Sequence, residues 1–310
     1  MTTLEIAVIV SNLTKCFGPV LAVDHINFEV KREEIFGFLG PNGAGKTTTI
    51  RILMGIIKPD EGSARVMGYD ILRETLKVKQ ISGVVPEVAN AYIDLTGWQN
   101  LMLIGELYGV PKRERTEKAE SLLRELGLYE RRNQLVRGFS RGMKQRLIFC
   151  MALVNDPQML FLDEPTSGLD VESARHIRKL IQEYNKNGKT IFLSTHNMDE
   201  ANQLCDRIAI INHGKIAAID SPERLRMKSS GLQSVEVGFD KPVGVDEVLH
   251  ITGIREMKKM GDKIRLYTDN PDKVIDSLVD YARSKNLRII SINTLKPSLE
   301  DVFVELTREH

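Results

Sequence analysis

The sequence predicts an α/β protein with a parallel core sheet in its larger part, followed by a smaller α+β domain. Three observations support this fold class. First, an apolar run at residues 35–39 leads through a glycine-rich loop into a segment of helical spacing. Second, apolar runs at residues 159–162 and 190–194 flank a helix pattern at residues 173–185, the strand, helix, strand order of a parallel sheet. Third, the C-terminal part alternates strand and helix patterns in a different order.

The regions around this core pattern indicate two subdomains. Residues 7–10 are apolar, and in residues 21–30 charges separate the apolar positions, which predicts antiparallel strands near the start of the chain. From about residue 95 to residue 155 the apolar spacing is helical, with Gly127 as a stop signal. We therefore expect an antiparallel β subdomain and a helical subdomain beside the parallel sheet.

A polar stretch at residues 227–231 predicts a domain boundary, so that residues 1–229 form the first domain and residues 230–310 an accessory domain. The order predicted for the accessory domain is the β-α-β-β-α-β order of a ferredoxin-like fold. Its predicted elements are strand 233–239, helix 245–251, strands 254–260 and 263–268, helix 271–284 and strand 287–293, with a last helix at 298–307.

Charge and composition exclude several classes of function. The 310 residues carry 43 basic and 42 acidic side chains, a net charge of +1, so no nucleic-acid partner is expected. The three cysteines, Cys16, Cys150 and Cys205, lack metal-ligand spacing and are interpreted as reduced packing residues. The longest apolar run, residues 147–154, is far shorter than the ~20 residues that cross a bilayer, and no secretory signal pattern is present. We expect a protein of the cytosol.

A phosphate-binding motif lies between the first core strand and the helix that follows it. Residues 40–47 fit G-x-x-x-x-G-K-[ST] in the strand, loop, helix context that this motif requires, which disfavours a plain glycine-rich turn. Backbone N–H groups would surround nucleotide phosphates, Lys46 would reach their outer oxygens, and the Thr47 hydroxyl would ligate Mg²⁺. The predicted ATP-binding residues are Gly40, Pro41, Asn42, Gly43, Ala44, Gly45, Lys46, Thr47 and Thr48.

Two carboxylates end the next predicted core strand. Taken alone, Asp163 and Glu164 would be explained better as a solvated loop after a buried strand. Their place at the C-terminal edge of a parallel sheet, where ligands of such folds bind, favours a chemical role. Asp163 would hold the Mg²⁺ shell, directly or through water, and Glu164 would act as general base on the attacking water.

Three more segments occur in a fixed order around these two. Residues 139–146 read Phe-Ser-Arg-Gly-Met-Lys-Gln-Arg, residues 167–170 read Ser-Gly-Leu-Asp, and residues 194–196 read Ser-Thr-His. With the phosphate loop and the Asp-Glu strand end, this set resembles the ATP-binding cassette (ABC) ATPase family over about the first two thirds of the chain. The resemblance implies the ABC nucleotide-binding fold and hydrolysis of ATP with Mg²⁺.

In that family two cassettes pair head to tail, so that the signature segment of one subunit closes on the nucleotide held by the other. The resemblance therefore implies a homodimer or a paired cassette with shared ATP sites. It also implies roles for residues outside the phosphate loop. These are nucleotide contacts for the signature residues Ser140, Arg141, Gly142 and Met143, an interface position for Asp170, a γ-phosphate contact for His196, and adenine stacking for Phe17, whose alternative is core packing.

The sequence departs from the family pattern at two places. The usual signature is Leu-Ser-Gly-Gly-Gln, and here Arg141 and Met143 replace a glycine and the glutamine. The loop after the strand at residues 83–85 usually carries a glutamine that senses Mg²⁺ and water, and here it offers Glu87. Glu87 is predicted to approach the metal, although it adds negative charge beside Asp163 and Glu164.

Three classes of function compete for such a cassette: a transporter subunit, a soluble ABC ATPase of DNA repair or translation, and a regulator without turnover. The interval between Gly55 and Gly83 is too short for the coiled coil of repair proteins, and only one cassette is present. An intact set of catalytic positions disfavours the regulator. The ending at residues 297–303 resembles the daunorubicin-resistance-like exporter branch. We therefore expect an exporter ATPase bound to an integral-membrane permease at the cytoplasmic face of the cell membrane.

Overall fold

The computed structural model of the chain describes residues 6–88, 91–228, 233–244, 248, 253–295 and 298–308. The chain divides into two units, Met1–Pro222 and Glu223–His310. The boundary predicted at residues 229–230 falls on residues outside the described ranges.

The strands of the first unit form two sheets. Their bounds are β1 (Ile6–Phe17), β2 (Val20–Lys31), β3 (Ile35–Leu39), β4 (Glu61–Val66), β5 (Tyr69–Asp70), β6 (Ser82–Val85), β7 (Met159–Asp163), β8 (Thr190–Thr195), β9 (Arg207–Asn212) and β10 (Lys215–Asp220). The central sheet has the order β10-β9-β3-β8-β7-β6, with all neighbours parallel except the β9–β10 hairpin. The second sheet, β2-β1-β4-β5, is antiparallel. Both the parallel core and the antiparallel subdomain were predicted.

Strands β3, β7 and β8 are buried at every position, as expected of central parallel strands covered on both faces. Their register aligns their C-terminal ends, because Leu39 pairs with Thr195 and Asp163 pairs with Ser194. The loops that follow these strands therefore meet at one edge of the sheet.

A cluster of phenylalanines joins the two sheets. The ring of Phe28 on β2 lies 5.6 Å from the rings of Phe36 and Phe38 on β3 and 6.0 Å from the ring of Phe192 on β8. Full burial of such a side chain contributes about 1.5–3 kcal/mol. This packing fixes the antiparallel sheet on the central sheet, and the start of β2 lies next to the loop after β3.

The helices of the first unit surround the central sheet and form the predicted helical subdomain. The described helices are α1 (Lys46–Leu53), α2 (Thr75–Gln80), α3 (Gly97–Leu107), α4 (Lys112–Glu125), α5 (Arg141–Leu153), α6 (Val171–Lys186), α7 (Met198–Leu204) and, at the junction of the units, α8 (Pro222–Lys228). A capping box begins α3, where Thr96 accepts from the Gln99 N–H and Gln99 accepts from the Thr96 N–H. Helices α3, α4 and α5 account for residues 95–155 as expected.

The second unit has a four-stranded antiparallel sheet in the order β12-β13-β11-β14, where β11 is Gln233–Phe239, β12 is Ile254–Met260, β13 is Lys263–Thr268 and β14 is Ile289–Leu295. Helix α9 (Pro271–Ser284) packs on this sheet, and α10 (Leu299–Arg308) follows it. The predicted helix at residues 245–251 lies outside the described residues apart from Val248. The last strand begins two residues later than predicted, because the Leu287 N–H still bonds to the Ala282 carbonyl at the end of α9.

The three cysteines all lie in described residues and differ in exposure. Cys150 and Cys205 are buried, and burial raises the pKa of both thiols above the ordinary value. Cys16 is exposed, so its interpretation as a packing residue was wrong. It lies on the part of β1 that ends at the Phe17–Val20 turn, where the alternating pattern reaches solvent.

Across the described residues, no helix combines the length and the apolar character needed to span a bilayer.

Candidate active site

The phosphate loop connects β3 to α1 in the predicted context. Gly45 has φ +103°, and a Cβ there would lie 2.3 Å from the Ala22 carbonyl oxygen of β2, so that no side chain fits. Gly43 has φ +82° and open space where its Cβ would be. Helix α1 begins at Lys46, so its first N–H groups face the loop, as anion binding at a helix start requires.

The phosphate loop encloses the side chain of Lys46, a residue that is only 5% exposed. Nζ donates to the Gly40 carbonyl oxygen at 2.7 Å and to the Pro41 carbonyl oxygen at 3.1 Å. It lies 3.2 Å from Glu164 Oε1, which gives the buried charge a partner of opposite sign. The positive charge is thus fixed between the phosphate loop and the end of β7.

The two carboxylates at the end of β7 are bound differently. Asp163 accepts a short hydrogen bond from the Ser194 hydroxyl group on β8. Glu164 Oε2 lies 2.8 Å from His196 Nδ1. Glu164 Oε1 is buried and, apart from the ion pair with Lys46, has no hydrogen-bond partner among the described residues. This oxygen can therefore accept a hydrogen bond from a bound water.

Glu164 also has an unusual backbone conformation, with φ +51°. Left-handed residues other than glycine are uncommon and concentrate at functional sites, where the surroundings hold them in place. Here the Glu164 N–H donates to the Ser194 carbonyl oxygen at 3.0 Å, and the Glu164 carbonyl oxygen accepts from the Ser167 N–H at 3.0 Å. The backbone turn directs the side chain toward the phosphate loop.

A cavity of about 320 Å³, a size in the range of ligand sites, is lined by the phosphate loop together with Glu87 and Glu164. Asp163 and His196 are not among its lining residues. That Glu87 approaches a metal ion stays a prediction. Phe17 is not part of the lining; it is half exposed, with Lys15 Nζ 5.5 Å from its ring centre. The lining residues are Ala22, Pro41, Asn42, Gly43, Gly45, Lys46, Thr47, Thr48, Glu87 and Glu164.

The predicted signature residues and Asp170 form a second cluster, and none of them lines this cavity. Ser140 caps α5 by accepting from the Met143 N–H at 3.3 Å. Arg141 Nη2 donates to the Ser167 carbonyl oxygen at 2.8 Å, which joins the signature to the loop before α6. Ser140 and Arg141 are exposed at the start of α5, whereas Gly142 is buried.

Asp170 begins α6 in the same cluster. Its carboxylate accepts from the Ser173 N–H at 2.8 Å and from the Ser173 hydroxyl group at 2.9 Å. The Ser173 N–H, and then its hydroxyl group, hold the pKa of Asp170 below the ordinary value. Gly142 packs against the Ser173 hydroxyl group, since an added Cβ there would lie 2.6 Å from that oxygen. The starts of α5 and α6 are therefore fixed together.

Sequence reasoning missed four residues that shape the site. Ala22 lines the cavity through its backbone, which no sequence pattern indicates. Ser194 could have been identified as a hydroxyl group at the end of a buried strand. Thr166 donates to the carboxylate of the buried Glu200 at 2.6 Å, and burial raises the pKa of Glu200. An acidic residue on a helix gives no signal of burial when its neighbours along the chain are polar.

The comparisons with known proteins agree with this geometry. Residues 23–167 match the ABC transporter family, and residues 221–307 match the C-terminal domain of DrrA1-3-like ATP-binding proteins. The linearmycin resistance ATP-binding protein of Bacillus subtilis (strain 168) is 36% identical, with 96% of each chain covered. The daunorubicin/doxorubicin resistance ATP-binding protein of Streptomyces peucetius is 33% identical, with 97% of this chain and 92% of the relative covered.

A Nod factor export ATP-binding protein from Rhizobium sp. (strain N33) is 36% identical over 98% of this chain and 97% of its own. Among solved structures, an ATP-binding subunit of an ABC transporter matches with TM-score 0.66 and 29% identity, covering 72% of this chain and 92% of its own. A dimeric ATP-binding cassette in a post-hydrolysis state with ADP and Pi matches with TM-score 0.63 and 26% identity, covering 69% of this chain and 98% of its own.

The fold and the site define a phosphate-loop nucleotide hydrolase. The chain belongs to the ATP-binding proteins of ABC transporters. It is an ATPase subunit of the exporter type, so the non-transport alternatives are not favoured.

Proposed function

We propose that this ATPase energises a separate membrane permease through closure of paired cassettes, with Glu164 as the general base of hydrolysis. The observation that carries the assignment is the placement of Glu164 between Lys46 at 3.2 Å and His196 at 2.8 Å, with one buried oxygen free to accept from water. A positioned base contributes typically 10²–10⁴-fold to a rate.

Lys46 and His196 have separate roles in this proposal. The Lys46 ammonium group is held by two carbonyl oxygens, and its positive charge attracts the outer phosphate oxygens of ATP. His196, half exposed beside Glu164, orients the base and reaches the γ-phosphate. Glu164 lies between the two groups, with Oε1 3.2 Å from Lys46 Nζ and Oε2 2.8 Å from His196 Nδ1.

The residues at the site fit Mg²⁺. In the described ranges no group of three or more His, Cys, Asp or Glu residues could hold a metal ion by itself. Mg²⁺ that binds together with a nucleotide needs fewer protein ligands, because one or two protein oxygens suffice beside the phosphate oxygens and water. The Thr47 hydroxyl and the Asp163 carboxylate would supply those oxygens, and Glu87, on the cavity wall, would act directly or through water. The bound ion would neutralise charge that develops on the phosphates.

The second cluster supports the pairing of two cassettes. The residues at the capped start of α5 do not line the chain's own cavity, which supports a contact with a nucleotide held by another subunit. We propose that Ser140, Gly142 and the neighbouring signature residues contact the γ-phosphate held by a second cassette. ATP would then hold the closed dimer together, and its hydrolysis would release it.

An apolar surface next to Glu87 supports a permease partner. Val88, Tyr92 and Ile93 are 75%, 50% and 52% exposed, which is unusual for three large apolar side chains close together in sequence. Asn100, fully buried, bonds to both the N–H and the carbonyl oxygen of Tyr92 and so holds this surface in place. We propose that a cytoplasmic segment of the permease binds here. The chain would therefore lie at the cytoplasmic face of the membrane.

The names of the relatives support export as the direction of transport. They refer to resistance against linearmycin and daunorubicin or to export of Nod factor. We propose that the cargo of the present transporter is likewise a small molecule that leaves the cell.

The assignment of the base is tested with Glu164→Gln. The amide keeps the size of the side chain and cannot take a proton from water, so we expect hydrolysis to fall by about 100-fold or more while ATP is still bound. In size-exclusion chromatography this variant should elute as a dimer when ATP is present. Glu183→Gln, a change on the exposed face of α6, serves as the control. A Glu164→Gln protein that stays monomeric and hydrolyses ATP normally would disprove the assignment.

A further inference from the structure

A buried carboxyl group lies outside the cavity and connects the two loops that carry Glu164 and His196. Glu200, on α7, is 1% exposed. Its Oε1 accepts from the Thr166 hydroxyl group at 2.6 Å, and the nearby Thr195 hydroxyl group lowers the pKa of the same carboxyl group, against the larger effect of burial, which raises it. Thr166 lies two residues after Glu164, and Thr195 immediately precedes His196.

The backbone around Glu200 is fixed to the same turn. Asn197 caps α7 by accepting from the Glu200 N–H at 3.0 Å, and the Asn197 N–H donates to the Thr195 hydroxyl oxygen at 3.0 Å. Both the side chain and the N–H of Glu200 are therefore anchored within the segment that contains His196.

A third element supports the carboxyl group from behind. Arg178 Nε, on α6, lies 3.8 Å from Glu200 Oε1 and has no hydrogen-bond partner among the described residues. A buried carboxylate is costly unless it is paired and hydrogen-bonded, and here two hydroxyl groups and a guanidinium group surround it. If the side chain at this position served only to fill space, an apolar side chain would cost less free energy to bury.

We infer that Glu200 is a positioning residue for ATP hydrolysis, which holds the Glu164 and His196 loops at the separation that allows their 2.8 Å contact. This inference rests on the proposed function, because it assumes that His196 acts on Glu164. Glu200 itself does not line the cavity. Its effect is transmitted through Thr166 and Thr195.

The position of the two loops should affect turnover more than affinity. ATP is held mainly by the phosphate loop, which Glu200 does not touch, so the KM for ATP of Glu200→Ala should stay within about twofold of the wild-type value. Without the carboxylate, Thr166 loses its acceptor, Thr195 loses a polar neighbour, and the contact of Glu164 with His196 loosens. We expect kcat to fall about tenfold.

The test is a double-mutant cycle on purified full-length protein with Glu200→Ala and His196→Ala. If Glu200 acts through His196, the double variant should have the kcat of His196→Ala alone, because residues that act as a unit are not additive. Multiplication of the two single effects would overturn the inference, as would a wild-type kcat in Glu200→Ala.

Two further variants keep the test valid if Glu200→Ala folds poorly. Thr166→Val removes one hydroxyl group and leaves the buried carboxylate in place, and Glu200→Gln keeps the shape and one acceptor oxygen. Both should lower kcat by about threefold with an unchanged KM for ATP. Wild-type kcat in both of these variants would overturn the inference.

The matched control is Glu34→Ala. Glu34 is also buried, at 7% exposed, and pairs with Arg207 at 3.1 Å, but it precedes β3 at the end of the strand away from the phosphate loop. Its loss should lower the melting temperature without changing kcat. The proposed function is tested independently by Glu164→Gln. If that function is wrong, Glu164→Gln will retain hydrolysis, whatever the activity of Glu200→Ala.

Discussion

Glu164 combines the features that a base in this position needs. Its carboxylate lies between a buried ammonium group and a histidine, one oxygen is free, and its backbone adopts the left-handed conformation that directs the side chain toward the phosphate loop. The left-handed conformation costs of order 1–3 kcal/mol, which the hydrogen bonds to Ser194 and Ser167 offset. The unfavourable backbone conformation of Glu164 is thus the means by which its side chain is oriented.

Glu87 should control the Mg²⁺ requirement. Because it lies on the cavity wall and adds negative charge near Asp163, we expect Glu87→Ala to need more Mg²⁺ for half-maximal ATPase activity, by roughly threefold to tenfold. Mg²⁺ titrations of Glu87→Ala and Glu87→Gln, in the presence and absence of the permease, measure this. Identical ATPase and transport profiles in wild type and Glu87→Ala would show that Glu87 neither assists the metal nor couples the subunits.

Phe17 remains a candidate for adenine stacking. Its ring is half exposed, so packing in the core does not explain it, and base stacking on an aromatic ring is worth about 1–3 kcal/mol. We expect Phe17→Ala to raise the Kd for ATP by about 10-fold and Phe17→Trp to preserve it. Fluorescence titration with a labelled ATP analogue measures both. Equal affinity of Phe17→Ala and wild type would exclude stacking.

Much of the site at this scale followed from sequence, but its hydrogen bonds did not. The motif context identified Lys46, and the order of segments identified Glu164 and His196. The contact between Glu164 and His196 joins residues that directly follow β7 and β8, so it depends on the register of these two strands, which no local pattern encodes. The contact between Thr166 and Glu200 is equally hidden in the sequence, because neither a threonine in a loop nor an acidic residue on a helix indicates such a hydrogen bond.

At the scale of elements, two helices show how a side-chain cap fixes the start of a helix. Helix α3 begins with the Thr96 capping box and α6 with Asp170. Sequence predicted a helical region at residues 95–155 correctly, since its apolar spacing is helical. The strand at residues 287–293 was misplaced by two residues, because the end of α9 competes for Leu287.

The capping box of α3 should contribute measurably to stability. Thr96→Ala removes the acceptor for the Gln99 N–H, and loss of such a cap costs about 0.5–2 kcal/mol. Thermal unfolding followed by circular dichroism should therefore show a lower melting temperature, with ATP affinity unchanged. Thr96→Ser retains the acceptor oxygen and should behave as wild type. If Thr96→Ser were destabilised as much as Thr96→Ala, lost packing of the methyl group would be the cause instead.

At the scale of the molecule, each unit has its own apolar core. The first core includes the phenylalanine cluster between the two sheets, and the second lies between the four-stranded sheet and α9. The ferredoxin-like order of the second unit was predictable because every strand is short and bounded by turns. Its function was not, since no motif of known chemistry lies there.

A chain that ends at residue 230 should keep the fold and the ATP affinity of the first unit, because the core of that unit is internal to it. We expect the ATP-bound Glu164→Gln dimer of the shortened chain to need about tenfold higher protein concentration, if the accessory domain supports pairing. Light scattering over a concentration series measures this. A dimer as stable as that of the full chain would show that the accessory domain does not support pairing.

The unequal exposure of the three cysteines makes the wild-type chain suitable for labelling. The thiol of Cys16 reaches solvent next to Phe17, whereas Cys150 and Cys205 are enclosed and their raised pKa values suppress the thiolate that alkylating reagents require. A maleimide fluorophore should therefore attach at one position without any cysteine being removed. That position borders the expected adenine site, so the dye would report the arrival and departure of nucleotide in real time.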